Sequence, residues 1–392
     1  MKTISKKFYP LALGLSLMLT SCTKEEKNVI EEAPASAVSA KTSFKKLPNN
    51  ITPSNRFNIS SSLLTVSDFD SKLNLSDAVA PSECSDTPFN EVADFYNDLL
   101  IEGFIAVWDG NPDAIGIILE DYFVINQIAA ADENKNTDYF GADGKYTNYV
   151  KKRVRSLEKF WDMADLVTVN GQHTETLEDL DFIRYVYENY SSATEDEIEE
   201  ILIIAESFNT ASNQIPENPF YASDGFATFD KKIVIGDGIV TFLEDTGLDP
   251  KVIWSSILAH EWGHQIQFLN FGKWEYPIPV FSDTPESTRM TELEADFITG
   301  YYLTHKRGGT YNWKRVEDFL TAFFNIGDCG FESPGHHGTP IERLAAARAG
   351  YDLASGAQKN GKIISQQAVH EAFLSKLDEI LNSPLSVDAV AR

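Results

Sequence analysis

The sequence predicts an α+β protein, mostly helical, with a small sheet lying ahead of one long, capped helix. Three observations carry that expectation. Between residues 86 and 212 apolar residues recur at three-and-four spacing. Between Phe226 and Ile235 the pattern turns to short β-branched and alternating runs. At Asp249-Pro250 a capping residue followed by proline opens a long apolar-rich stretch.

The chain begins with an address. Lys2, Lys6 and Lys7 form a basic segment, and Phe8 to Leu19 form an apolar run too short to remain as a membrane helix. Leu19-Thr20-Ser21-Cys22 resembles the lipobox of bacterial lipoproteins, in which cleavage before the cysteine frees it for acylation. Residues 1–21 are therefore expected to be a signal peptide, with a lipid on Cys22. Two or more acyl chains anchor stably without a spanning helix, so the expected location is the bacterial cell envelope, at the outer membrane or cell surface. Lys24-Glu25-Glu26 looks like an acidic surface-export tag.

Charge narrows the partners. The formal net charge is −26, and loss of the three signal-peptide lysines leaves 30 basic residues against 59 acidic ones, or −29. Such a surface repels nucleic acid and anionic headgroups, which leaves the lipid as the membrane contact. The apolar stretch from Ala114 to Ala131 is interrupted by Glu120 and Asp121 and is expected in a core rather than a bilayer. With Cys22 assigned, Cys84 and Cys329 are either joined by a disulfide or both free.

Residues 22–85, rich in Ser, Thr, Asn, Lys and Ala, read as a flexible tether. Residues 86–212 are expected to form a helical subdomain, with helices over Phe89–Phe104, Ala114–Ala130, Tyr149–Ala164 and Leu177–Tyr190. Thr194 and Glu197 form a capping box for one more helix, to about Phe208. Asn213 to Pro219 is the expected seam. In residues 213–392, Phe226–Phe229 and Ile233–Ile235 predict a hairpin, and Ile239–Leu243 a further short strand. Helices are then expected from Asp249-Pro250 to Asn270, from Thr284-Pro285 to Lys306, from Thr339-Pro340 with Glu342 completing a capping box, and over Ser365–Asn382.

The chemistry lies in the helix that follows Asp249. His260-Glu261-Trp262-Gly263-His264 is an HExxH pattern. Residues four apart share a helix face, so both imidazoles can address one ion. Glu261, about 100° further round the axis, is placed to reach a water beside that ion without ligating it. Three protein ligands and an open position suit a catalytic zinc. The metzincin third ligand is excluded, because its glycine and histidine positions hold Gln267 and Asn270. A carboxylate from the next helix remains. Glu292 is expected as the third ligand, with Asp296, four residues on, orienting a ligand histidine. Glu294 falls on the opposite side of that helix and is assigned to solvent. His337 in Gly335-His336-His337-Gly338 is the expected oxyanion donor, with His336 behind it. Arg343, one turn into the next helix, is expected to brace that loop, the alternative being a pair with a site carboxylate.

These segments resemble the bacterial neutral zinc metallopeptidase family. They are Asn218-Pro219-Phe220-Tyr221-Ala222-Ser223-Asp224, His260 to Gln267, Glu292-Leu293-Glu294-Ala295-Asp296 and His337 to Arg343, in that order. More distantly they resemble the heat-shock and CAAX-prenyl membrane proteases, which share HExxH and a following ExxAD. Gln265 and Ala222 depart from the family pattern, where histidine and cysteine are frequent; neither touches an expected ligand. The resemblance implies a zincin-like fold of the gluzincin type and a zinc peptidase acting on peptides or proteins. Two alternatives stay open: a non-catalytic lipoprotein that keeps the fold to bind a peptide, glycan or zinc, and a zinc hydrolase of another amide, such as a cell-wall stem peptide.

Overall fold

The computed structural model describes Phe57 and residues 88–131, 137–281, 284–324, 338–357 and 361–383. The segment expected as a signal peptide, nearly all of the expected tether, the three cysteines, His336 and His337 lie outside the described residues.

The protein is mostly helical with one small sheet, as expected. Its first half contains α1 (Pro88–Val107), α2 (Pro112–Gly116), α3 (Tyr122–Ala131) and α4 (Thr147–Trp161). The single helix expected over Ala114–Ala130 is interrupted by a π-helical turn, Ile117–Asp121. That turn tucks Glu120 and Asp121 into the interior, where Tyr187 Oη donates to Asp121 Oδ2 at 2.7 Å. Pro112–Ala131 has the length and apolarity to cross a membrane, yet most of it is buried within the fold. The helix expected over Leu177–Tyr190 is shorter: a 3₁₀ turn at Thr174–Glu178 precedes α5 (Leu180–Tyr190), because Asp179 caps it by accepting from Phe182 N. The Thr194 capping box opens α6 (Glu195–Ala211) as predicted.

The sheet has three strands in the order β1-β3-β2. The predicted hairpin is present as β2 (Gly225–Ala227) against β3 (Lys232–Gly236), antiparallel, with Phe226 opposite Val234. The third strand was not foreseen. β1 (Thr168–Gln172), from the helical half, pairs parallel with β3, Thr168 opposite Lys232 and Gln172 opposite Gly236. Its Thr-Val-Asn-Gly-Gln sequence carries almost no strand signal of its own, so pairing with β3 decides it. Residues on both sides of Asn213–Pro219 thus share one sheet, and they also share one hydrophobic cluster.

The short strand expected at Ile239–Leu243 is instead part of a helix, α7 (Asp237–Asp245). Ile239, Val240, Phe242 and Leu243 are all buried, which is helical spacing, and Gly238 lets the helix press on the carbonyls of Pro219 and Ala222. A five-residue apolar run is ambiguous between the two periods, and packing resolved it.

Then come α8 (Pro250–Asn270), α9 (Pro285–Thr304), α10 (Trp313–Phe324), α11 (Pro340–Ala357) and α12 (Gln366–Leu381). Asp249 caps α8 by accepting from Lys251 N and Val252 N, and Thr284 caps α9. Thr339 and Glu342 form the reciprocal box that opens α11, at 3.0 and 3.2 Å. α10 was not anticipated. α8 is buried all round from Val252 to Gln267, so it is a central helix rather than an amphipathic surface one. α9 is buried from Met290 to Thr304 and meets α11 at two glycines. A Cβ on Gly300 would stand 2.1 Å from the Ala347 carbonyl, and one on Gly350 would stand 2.0 Å from that of Phe297. This backbone-to-backbone approach seats α11 directly behind the carboxylates of α9.

Candidate metal centre

The geometry of α8 and α9 brings three side chains to one point. His260 Nε2 and His264 Nε2 lie 3.2 Å apart. Glu292 Oε2 is 3.2 Å from the first, and Glu292 Oε1 is 3.3 Å from the second. All are buried, and their ligand atoms lie within 4.8 Å of one another. His260, His264 and Glu292 thus form a group that can hold a metal ion.

Two observations test the fit. A tetrahedral ion with bonds of about 2.0–2.1 Å needs donors about 3.3–3.4 Å apart, close to the separation of the two histidine nitrogens and of each from its nearer Glu292 oxygen. Charge is the second. With the imidazoles neutral, as metal binding requires, the carboxylates of Glu261, Glu292 and Asp296 against the Arg343 guanidinium leave a balance of minus two in the buried centre. A divalent cation would cancel it, and buried charge without a partner is costly, so the residues present fit such an ion.

The surroundings orient the donors. Asp296 Oδ1 lies 3.0 Å from His260 Nδ1, as the four-residue spacing predicted, which leaves Nε2 for the ion. Burial opposes a charged imidazole at position 260, but Asp296 and Glu292 outweigh it and raise the His260 pKa to about 10. Proton and metal therefore compete for the same nitrogen. Arg343, expected as a loop brace or as the partner of a site carboxylate, is fully buried and takes the second role. Its Nε donates to Asp296 Oδ2 at 2.7 Å, and its Nη2 to Asp296 Oδ1 at 3.0 Å and Glu292 Oε2 at 3.2 Å. The bidentate fork holds Asp296 in one orientation.

His264 is held differently. Its Nδ1 donates to Gln267 Oε1 at 2.9 Å, and Gln267 Nε2 donates to the Thr291 carbonyl at 2.8 Å. Gln267 entered the sequence argument only as a residue that excluded the metzincins; its place is behind one of the three candidate donors. A glutamine three positions after a motif histidine was the available signal.

Glu294 corrects the sequence reading outright. Far from facing solvent, it has 0 % exposure. It accepts from Gln267 Nε2 at 3.1 Å and Tyr276 Oη at 2.6 Å, and it faces His370 Nδ1 at 2.7 Å. The opposite side of α9 is covered by the segment after α8 and by α12, which helix-face arithmetic cannot see.

Glu261 is fully buried next to His260, and its field helps to keep Arg343 charged. Gln265, one of the two departures, clasps the hairpin instead of the metal. Its Nε2 donates to the carbonyls of Thr228 at 2.9 Å and Lys232 at 3.1 Å. Among the described residues β2 has no strand paired on its outer edge, though its three residues are buried. The structure thus brings His260, His264, Glu292 and Asp296 together as predicted, joins Arg343 to them, and adds Gln267 and Glu294. No protein-family model matches the chain, and neither the curated proteins nor the solved structures contain a match to it.

Proposed function

We propose that the chain is a zinc-dependent peptidase of the gluzincin type with a zincin-like fold, carried on the bacterial envelope by a lipid at Cys22. The observation that supports this most is the convergence of two imidazole nitrogens and one carboxylate at 3.2–3.3 Å spacing. Zinc suits that nitrogen and oxygen donor set at near-tetrahedral separation. When bound, it supplies Lewis-acid activation of a water and of a scissile carbonyl.

The protein's own groups do the rest. Glu261 takes a proton from the attacking water and passes it to the leaving amine. Asp296 holds His260 in the tautomer that presents Nε2, and Arg343 occupies the Asp296 oxygens so that this carboxylate stays behind the histidine. His337, with His336 behind it, steadies the oxyanion. An extended peptide pairs along the free edge of β2.

One observation favours a second reading, a non-catalytic lipoprotein that keeps the fold to bind zinc or a peptide. His260, His264 and Glu292 are only 1–3 % exposed, and structural zinc sites are closed whereas catalytic ones keep a position open. Structural sites, however, take four protein ligands, and among the described residues three converge. That count weighs towards the hydrolase.

The test is metal analysis of the purified chain, wild type beside Glu292→Ala, together with digestion of a peptide library. About one zinc per chain with cleavage, both lost in Glu292→Ala, supports the peptidase. Retained zinc without cleavage selects the binder, and a wild type that holds no metal overturns both.

A further inference from the structure

Behind His264 runs a chain of hydrogen bonds whose direction is set by groups outside the three metal donors. Gln267 can present either its carbonyl or its amide NH₂ to His264, because the two ends have nearly the same shape. What decides is on the other side. There Gln267 meets two groups that accept only, the Thr291 carbonyl at 2.8 Å and the Glu294 carboxylate at 3.1 Å. Both demand the NH₂ end. The carbonyl end must therefore face His264, which places the proton on Nδ1 and leaves Nε2 to the ion.

Glu294 is itself held from two further elements. Tyr276, in the segment after α8, donates to its Oε2 at 2.6 Å. His370, on α12, meets its Oε1 at 2.7 Å, and the other ring nitrogen of His370 faces the Glu275 carbonyl at 3.3 Å. The His370 ring stacks on Trp274 at 4.3 Å with an interplanar angle of 13°. Glu294 and His370 are almost wholly buried, at 0 and 1 % exposure. A bare helix-face carboxylate would not be enclosed in this way, because desolvation disfavours it unless its lone pairs are met.

We propose that Glu294 is a positioning residue for His264, acting through Gln267, and that α12 belongs to the metal centre because His370 fixes Glu294. The proposal rests on the metal-site reading above. It adds that the donor quality of His264 is set by a residue that never touches the ion.

The experiment measures zinc affinity by competition with a chromophoric chelator, on the full chain, in a double-mutant cycle. The variants are Glu294→Gln, Gln267→Leu and the pair. Glu294→Gln keeps the shape but removes the carboxylate, leaving the Thr291 carbonyl alone to fix the orientation of Gln267. It should weaken zinc several-fold. Gln267→Leu, which removes the direct partner of His264, should weaken it about 10- to 100-fold. The pair should lose little beyond Gln267→Leu alone, since the route between residue 294 and His264 is already cut. The absorption bands of the cobalt(II)-substituted protein should shift in each single variant. His370→Gln gives a second handle should Glu294→Gln fail to fold: it should weaken zinc several-fold in the wild-type background and hardly at all beside Gln267→Leu. Equal losses in both backgrounds would mean that Glu294 matters to packing alone and would overturn the proposal, as would wild-type affinity in Glu294→Gln. A wild type that binds no zinc overturns the metal-site reading itself, and that result is distinct from either.

Discussion

Gly263 and Ala295 meet backbone to backbone: a Cβ built on Gly263 would stand 3.0 Å from Ala295 Cα and 3.2 Å from Ala295 Cβ. The glycine between the two motif histidines and the alanine between Glu292 and Asp296 are thus the contact that sets the distance between ligand-bearing helices. Gly263→Ala should gain about 1 kcal/mol in helix propensity and lose about 1–3 kcal/mol to overpacking. Global stability should fall by no more than about 2 kcal/mol. Zinc affinity should fall about tenfold, because donor spacing tolerates only about 0.2 Å. Thermal unfolding of the metal-free chain beside chelator competition separates the two effects.

Glu261→Gln tests the proton shuttle. Glu261 lies next to His260 on α8 and is not among the three converging donors. The variant should keep about one zinc per chain and lose peptidase turnover by at least about a hundredfold. Full activity would remove Glu261 from the mechanism.

Arg343 tests the charge balance. Replacing it by methionine leaves the Asp296 and Glu292 carboxylates buried without their guanidinium. The metal-free protein should lose about 3–5 kcal/mol, read from urea denaturation. Saturating zinc should recover part of that loss. Arg343→Lys should recover little, since one ammonium cannot reproduce the fork on Asp296.

The pH dependence follows from His260. Its folded pKa, about 10, lies above the ordinary imidazole value of 6.5. A raised basic group contributes stability in full below its unfolded pKa and loses it as pH rises through the folded one. The midpoint of unfolding of the chelator-treated protein should therefore fall between pH 6.5 and about 10. Zinc-loaded protein should show little of that slope, because ligation has already displaced the proton. A fall of equal size in both forms would contradict this assignment.

What was legible in the sequence was local. The caps at Thr194, Asp249, Thr284 and Thr339 are residue types that satisfy helix-end N–H groups from within a turn, and all four sit where expected. The shared face of His260 and His264, and that of Glu292 and Asp296, follow from 3.6 residues per turn. Given one helix after the other, their meeting was a short step.

What was missed depends on partners distant in the chain. Nothing in residues 168–172 announces a strand until Lys232 to Gly236 lies alongside. Nothing around Ile239 distinguishes a buried strand from a buried helix until Pro219 and Ala222 press on Gly238. Glu294 is one acidic residue among 59 acidic ones, and only His370 and Tyr276 remove it from the solvent-facing set.

By itself the sequence determined which atoms can bind a metal and on which helix faces they stand, because helix geometry is a property of neighbours. The tertiary structure alone decided how those atoms are held. Arg343 on Asp296, Gln267 behind His264 and Glu294 between Gln267 and His370 satisfy buried charges and hydrogen bonds that exist only once α9, α11 and α12 have closed around α8.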